Sequence, residues 1–163
     1  MTRRIFVLAA MGLAVPAFAQ GQSVELLYTP AVLSQTVALR DSLKVSLVHS
    51  SNALPLVGAT SQRKVDYGKS VERVTAIIIL GEDALKAVAD IEFSAAVIVA
   101  NAKGPTSARG RVIRVFDGST PPPAGTIVVT SLDVVRNAVK AEGEVSLKGP
   151  LSSIVQAIVT ELR

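Results

Sequence analysis

Apolar residues along this chain come in two textures, short continuous runs rich in β-branched side chains and longer stretches in which they recur every three or four positions. Val24-Glu25-Leu26-Leu27-Tyr28 is a run of the first kind and predicts a strand; Thr29-Pro30 after it suits the cap and first position of a helix. From Ala31 to Lys44, Val32, Thr36, Leu39 and Leu43 repeat at spacings of three and four, with Leu33 and Val37 beside them, which predicts that helix. Val45 to Val48 alternates and reads as a second strand, a place for which Leu54-Pro55-Leu56-Val57 competes. Arg63 to Val74 carries Val65, Val71 and Val74 among charged neighbours and reads as a helix interrupted by Gly68.

The central segment is plainer. Thr75 to Leu80 is continuous, β-branched and bounded by Gly81, as a strand covered on both faces should be. Gly81-Glu82-Asp83 opens a predicted helix reaching Ile91, with both carboxylates at the positive end of its dipole. Ala95 to Ala100 repeats the buried-strand pattern and ends at Asn101. Arg111 to Phe116 alternates and, with the Asp117-Gly118 turn and the stiff Pro121 to Pro123 triplet, predicts an edge strand or hairpin. Thr126 to Thr130 reads as a strand, Ser131 as the cap of a helix from Leu132 to Glu142, and Glu144 to Leu147 as a last strand. Gly149-Pro150 then leads into a terminal helix with Leu151, Ile154, Val155, Ile158, Val159 and Leu162 on its apolar side.

Strands alternating with helices of this length imply a mostly parallel sheet with helices on both faces, so the expected fold is α/β, a three-layer flavodoxin-like sandwich. The alternative is an α+β domain in which Arg111 to Thr130 forms an antiparallel ribbon.

The N-terminus changes the picture of where this domain works. Arg3 and Arg4, the apolar run from Ile5 to Val15, Pro16 and the small-x-small tripeptide Ala17-Phe18-Ala19 have the layout of a cleaved secretory signal peptide over residues 1–19. One α/β domain over residues 20–163 is then expected in the periplasm. The apolar run is shorter than the roughly 20 residues of a spanning helix, and no later run is longer, so no stable membrane insertion is expected after cleavage. The chain has 163 residues, is 49% hydrophobic and 18% charged, has no Cys and has one His. Thiol chemistry, disulfides and a multi-histidine metal site are thereby excluded. Without Arg3 and Arg4, 15 basic residues face 13 acidic ones, a net charge of about +2 that is no nucleic-acid footprint. The nearest basic cluster, Lys103, Arg109, Arg111 and Arg114, reads as a solvated loop and strand face, with an anionic ligand or acidic partner as the other reading.

In open parallel sheets a ligand crevice lies beyond the carboxyl ends of the strands, where helix N-termini present unpaired N–H groups. The residues predicted there are Tyr28, Thr29 and Pro30, then Gly81, Glu82 and Asp83, then Asn101 and Lys103, then Thr130 and Ser131. Of these Tyr28, Thr29, Gly81, Glu82, Asp83, Asn101 and Ser131 form the candidate binding rim. Each also has a structural explanation as a cap, turn or dipole partner. Glu82 and Asp83 are adjacent and so point apart, which suits paired acid/base work poorly. His49, near Ser50, Ser51 and Asn52, reads as a surface loop residue rather than a proton carrier. Without a nucleophile elbow, a phosphate loop or a dinucleotide fingerprint, neither catalysis nor a cofactor or metal is expected.

The order strand, Thr-Pro-started helix, then Ile77 to Val88 (Ile-Ile-Ile-Leu-Gly-Glu-Asp-Ala-Leu-Lys-Ala-Val) and Ala95 to Asn101 resembles the periplasmic substrate-binding components of ABC transporters, over roughly Val24 to Asn101. Such proteins normally have two lobes, and this chain supplies the length of one. The resemblance implies a non-catalytic binding or accessory role outside the cytoplasm, with a small-molecule ligand. The alternative is a protein-interaction module of an envelope export, receptor or sensor assembly, pairing through the Arg111 to Phe116 strand.

Overall fold

The computed structural model describes residues 23–44, 46–70 and 74–162, so the expected signal peptide lies outside the described residues. Seven strands form one sheet: β1 (Ser23–Tyr28), β2 (Ser46–Asn52), β3 (Ala76–Leu80), β4 (Ala96–Ala100), β5 (Val112–Phe116), β6 (Ile127–Val128) and β7 (Glu144–Lys148). Their spatial order is β2-β1-β3-β4-β5-β7-β6, and every neighbouring pair is parallel. The first five strands thus follow the flavodoxin-like order, in which the connections diverge at β1 and β3. The helices are α1 (Leu33–Ser42), α2 (Ser61–Ser70), α3 (Glu82–Ala87), α4 (Leu132–Lys140) and α5 (Leu151–Glu161).

Alternate side chains of each strand enter opposite layers, because successive residues of a strand point to opposite faces. On one face Leu26, Ile78, Ile98, Ile113 and Leu147 pack with Leu39 of α1, Val135 of α4 and Ile154 and Ile158 of α5. On the other, Leu27, Ile77, Ile79, Val97 and Val99 pack with Ala84 and Leu85 of α3, Tyr67 of α2 and the connector residues Ile91 and Phe93. The fold is therefore the three-layer α/β sandwich that the alternation of elements predicts. β3 is buried at all five positions, as its uninterrupted apolar run requires. Among the described residues, no helix is long and apolar enough to cross a membrane.

Several boundaries move for local reasons. Pro30 takes the first position of a 3-10 turn over Pro30–Val32, and α1 starts at Leu33 rather than Ala31. Its buried stripe is Thr36 and Leu39; the Thr36 hydroxyl donates to the Val32 carbonyl at 2.9 Å, which satisfies a buried polar group inside the helix. α3 stops at Ala87 instead of Ile91. The chain turns at Val88 so that Ile91 and Phe93 both reach the core, which a straight helix would not allow. β2 runs from Ser46 through Asn52 and so carries His49, in register with Glu25. The expected loop placement of His49 is corrected accordingly, and Leu54–Leu56 is a 3-10 turn rather than a rival strand.

The largest correction concerns β5. Arg111 to Phe116 is neither an edge strand nor a hairpin: β5 lies inside the sheet between β4 and β7, with all five residues buried. Arg114 made the run look half-solvated, yet it is only 4% exposed. Its guanidinium is tolerated there because its donors are used: Nη1 meets the Ala102 carbonyl at 2.8 Å, Nη2 the Gly104 carbonyl at 2.7 Å and Nε the Glu144 carboxylate at 2.7 Å. No antiparallel ribbon forms. The edge on this side of the sheet belongs to β6, only two residues long, both exposed and preceded by the Pro121 to Pro123 stretch.

Candidate functional site

Because all strands run the same way, their carboxyl ends share one border of the sheet, and the turns that follow them bring the candidate residues to it. β1 delivers Tyr28 and Thr29, β3 delivers Gly81 to Asp83, β4 delivers Asn101, and β6 delivers Thr130 and Ser131. Tyr28, Gly81 and Asn101 follow three adjacent strands. Ser131 follows the far edge strand, five strand spacings from β1, or about 24 Å at the usual interval. The central members thus lie on neighbouring strands, and Ser131 belongs to a separate end of the border.

The central members are bonded to neighbouring backbone of the fold rather than to one another. Gly81 adopts φ 92, a left-handed conformation that favours glycine, and its N–H donates to the Ala100 carbonyl at 2.9 Å, tying the turn after β3 to the end of β4. Glu82 does not face outward as a dipole partner. Its Oε2 accepts from the Lys103 N–H at 2.8 Å and its Oε1 from the Gly104 N–H at 2.9 Å. A side chain on Gly104 would collide with that Oε1, which accounts for the glycine. The loop 102–104 is thus held through its N–H groups by Glu82 and through its carbonyls by Arg114. Asp83 is exposed.

Asn101 takes φ 53, the left-handed region in which asparagine is tolerated, and its Oδ1 accepts from the Asp117 N–H at 3.1 Å. Asp117 Oδ1 in turn accepts from the Ser119 N–H at 2.9 Å and the Ser119 hydroxyl at 2.6 Å. Burial pushes the Asp117 carboxyl up, but the bonds from Ser119 and the Asn101 side chain outweigh it and hold the group below its ordinary value of 3.8. Thr29 and Ser131 occupy cap positions, yet neither side chain makes a capping hydrogen bond. The Thr29 side chain is buried, and Tyr28 is half-buried with its carbonyl accepting from the Ala53 N–H at 2.7 Å. Among the described residues no three His, Asp or Glu side chains gather into a possible metal site.

Ser131 borders open space. A hollow of about 300 Å³ lies between the first turns of α4 and α5, walled by Val129, Leu132, Val135 and Ile154, with Thr130 and Ser131 supplying hydroxyls. Leu132, at 45% exposed, continues that apolar surface outward. Leu33 at the start of α1, and Leu54 and Val57 after β2, are likewise exposed. The border thus has an apolar shoulder at each end and an internally bonded polar centre.

Two buried charges fall outside the expected rim. Arg114 is the clamp described above. Glu25 is fully buried on β1 and its Oε1 accepts from the Tyr67 hydroxyl of α2 at 3.0 Å. The signal for both was a lone charge within an apolar strand run. No family model, no curated protein and no solved structure matches the chain.

Proposed function

We propose that this protein is a secreted, non-catalytic binding or accessory module of the periplasm, akin to one lobe of an ABC-transporter substrate-binding protein. It takes a small, mainly apolar ligand at the carboxyl border of its sheet. The observation that carries this reading is the hollow beside Ser131, whose volume and apolar walls with a few hydroxyls suit a small molecule. The internal bonding of Glu82 and Asp117 supports a binding role over an acid/base one, since each carboxylate is already occupied by donors of its own chain.

The test is thermal unfolding across a panel of metabolites. Ligand at a hundredfold over its Kd stabilises by about 2.7 kcal/mol, which raises Tm by about 5–10 °C in a domain of this size. The rise should be lost in Leu132→Glu, which puts a charge on the hollow's wall. Cooperative unfolding with no shift from any compound class refutes the reading.

A second reading, an interaction module of an envelope assembly, is favoured by Ile127 and Val128 on the free edge, at 47% and 58% exposed. It moves the docking strand from Arg111–Phe116 to β6. A stoichiometric envelope complex abolished by Val128→Lys supports it, and a complex indifferent to that change opposes it.

A further inference from the structure

At the opposite border of the sheet, on the layer of α2 and α3, a cleft of about 470 Å³ opens between α2 and the connector that follows α3. This is within the range of small-molecule sites, roughly 300–1,000 Å³. Val65 and Lys69 are four residues apart and so share one face of α2. Gly68 beside them lets the connector approach, since a side chain there would stand 3.1 Å from Ile91 Cγ2. The facing wall presents Asp90, Ile91 and Glu92.

The charges of the cleft are mixed and nearly matched. Lys64 Nζ pairs with Asp90 at 3.1 Å, and Arg109 Nη2 pairs with Glu92 at 2.9 Å. Lys69 is the cation left over, with no ion-pair partner among the described residues. Val65 is half exposed, so an apolar wall stands beside that surplus charge.

The geometry points to a binding site for a small organic monocarboxylate with an apolar body, which lays that body on Val65 and Ile91 and sets its carboxylate against Lys69. A single negative charge matches a single surplus positive one. A multiply charged anion leaves its further charges without a partner, since Lys64 and Arg109 are already paired, and a neutral apolar molecule leaves Lys69 without a counter-charge. This site is independent of the carboxyl border and of the function proposed for it.

The test is an NMR titration of the 15N-labelled full chain with three probes: 3-phenylpropionate, its neutral amide and inorganic phosphate. The carboxylate should give saturable shifts at the amides of residues 64–69 and 90–92 while those of 129–132 stay in place. The amide and phosphate should bind more weakly by up to about fivefold, the scale of one exposed charge pair. Lys69→Gln should weaken the carboxylate about fivefold, and Val65→Asp should abolish saturation. Both positions are exposed, and an otherwise unchanged amide spectrum shows that each variant is folded. The inference is overturned if the carboxylate does not saturate by about 10 mM, if the amide or phosphate binds as well as it does, or if the shifts fall at 129–132 instead.

Discussion

Arg114→Ala removes a buried guanidinium that joins three segments, and the structure allows its cost to be worked out. Two of its bonds reach the carbonyls of Ala102 and Gly104, and two more reach the carboxylate oxygens of Glu144, whose side chain is 47% exposed. Water replaces the arginine at Glu144, so that pair contributes about 1 kcal/mol at most. The Ala102 carbonyl is buried and loses its donor, and a hydrogen bond to a charged group is worth about 1.5–3 kcal/mol. Gly104 is half-buried and recovers part of its loss from solvent. The expected destabilisation is about 3–4 kcal/mol, which lowers a urea midpoint by about 1.5–2 M for a slope near 2 kcal/mol/M. Arg114→Lys keeps the charge but not the planar fork and should lose about half as much. Glu82→Ala should couple to Arg114→Ala by at least about 0.5 kcal/mol in a double-mutant cycle, because both side chains hold the loop 102–104. An Arg114→Ala midpoint within about 0.3 M of the parent, at unchanged slope, refutes the account of the clamp.

Two further outcomes follow from the carboxyl border. The folded Asp117 carboxyl titrates below its ordinary value of 3.8, so its contribution to stability is present above that value and is lost as pH falls through the lower folded value. Urea midpoints measured from pH 3 to 7 should therefore show Asp117→Asn less stable than the parent at neutral pH, with the gap closing in acid; a gap that widens in acid contradicts this. Gly81→Ala meets only ordinary contact, with Val32 Cγ1 3.6 Å from the new Cβ, so its cost is the left-handed backbone. About 1–3 kcal/mol should be lost, seen as a Tm about 3–9 °C lower, and an unchanged Tm argues against φ 92 at this turn.

The strands buried on both faces were legible in the sequence because nothing polar interrupts them: Ala76–Leu80 and Ala96–Ala100 read directly as β3 and β4. The terminal helix was legible from the spacing of Ile154, Val155, Ile158 and Val159. β5 was misread because an alternating Arg–Val pattern is the same whether the arginine is hydrated or bonded to carbonyls supplied by another segment, and Ala102 and Gly104 are ten to twelve residues away. The fate of Glu82 was hidden for the same reason, since its partners lie beyond the next strand. The border residues could be placed after their strands from the order of elements. Their spread could not, because β7 inserts between β5 and β6 through pairings that no local pattern encodes. The charged cleft was equally invisible, as it joins residues of α2, the connector after α3 and Arg109 only once the sheet has formed.

The shortness of β6 limits what one edge of the sheet offers to another copy of the chain. An all-parallel ladder that ended on a long, bare strand would offer a template on which further chains could stack without limit, the seed of a fibre. At this edge, unlike the opposite one formed by the seven residues of β2, the terminal rung is just Ile127 and Val128, and the three imino acids upstream carry no backbone hydrogen to donate to an intruder. Lengthening that rung by swapping Pro121 to Pro123 for valines should increase concentration-dependent association relative to the parent chain.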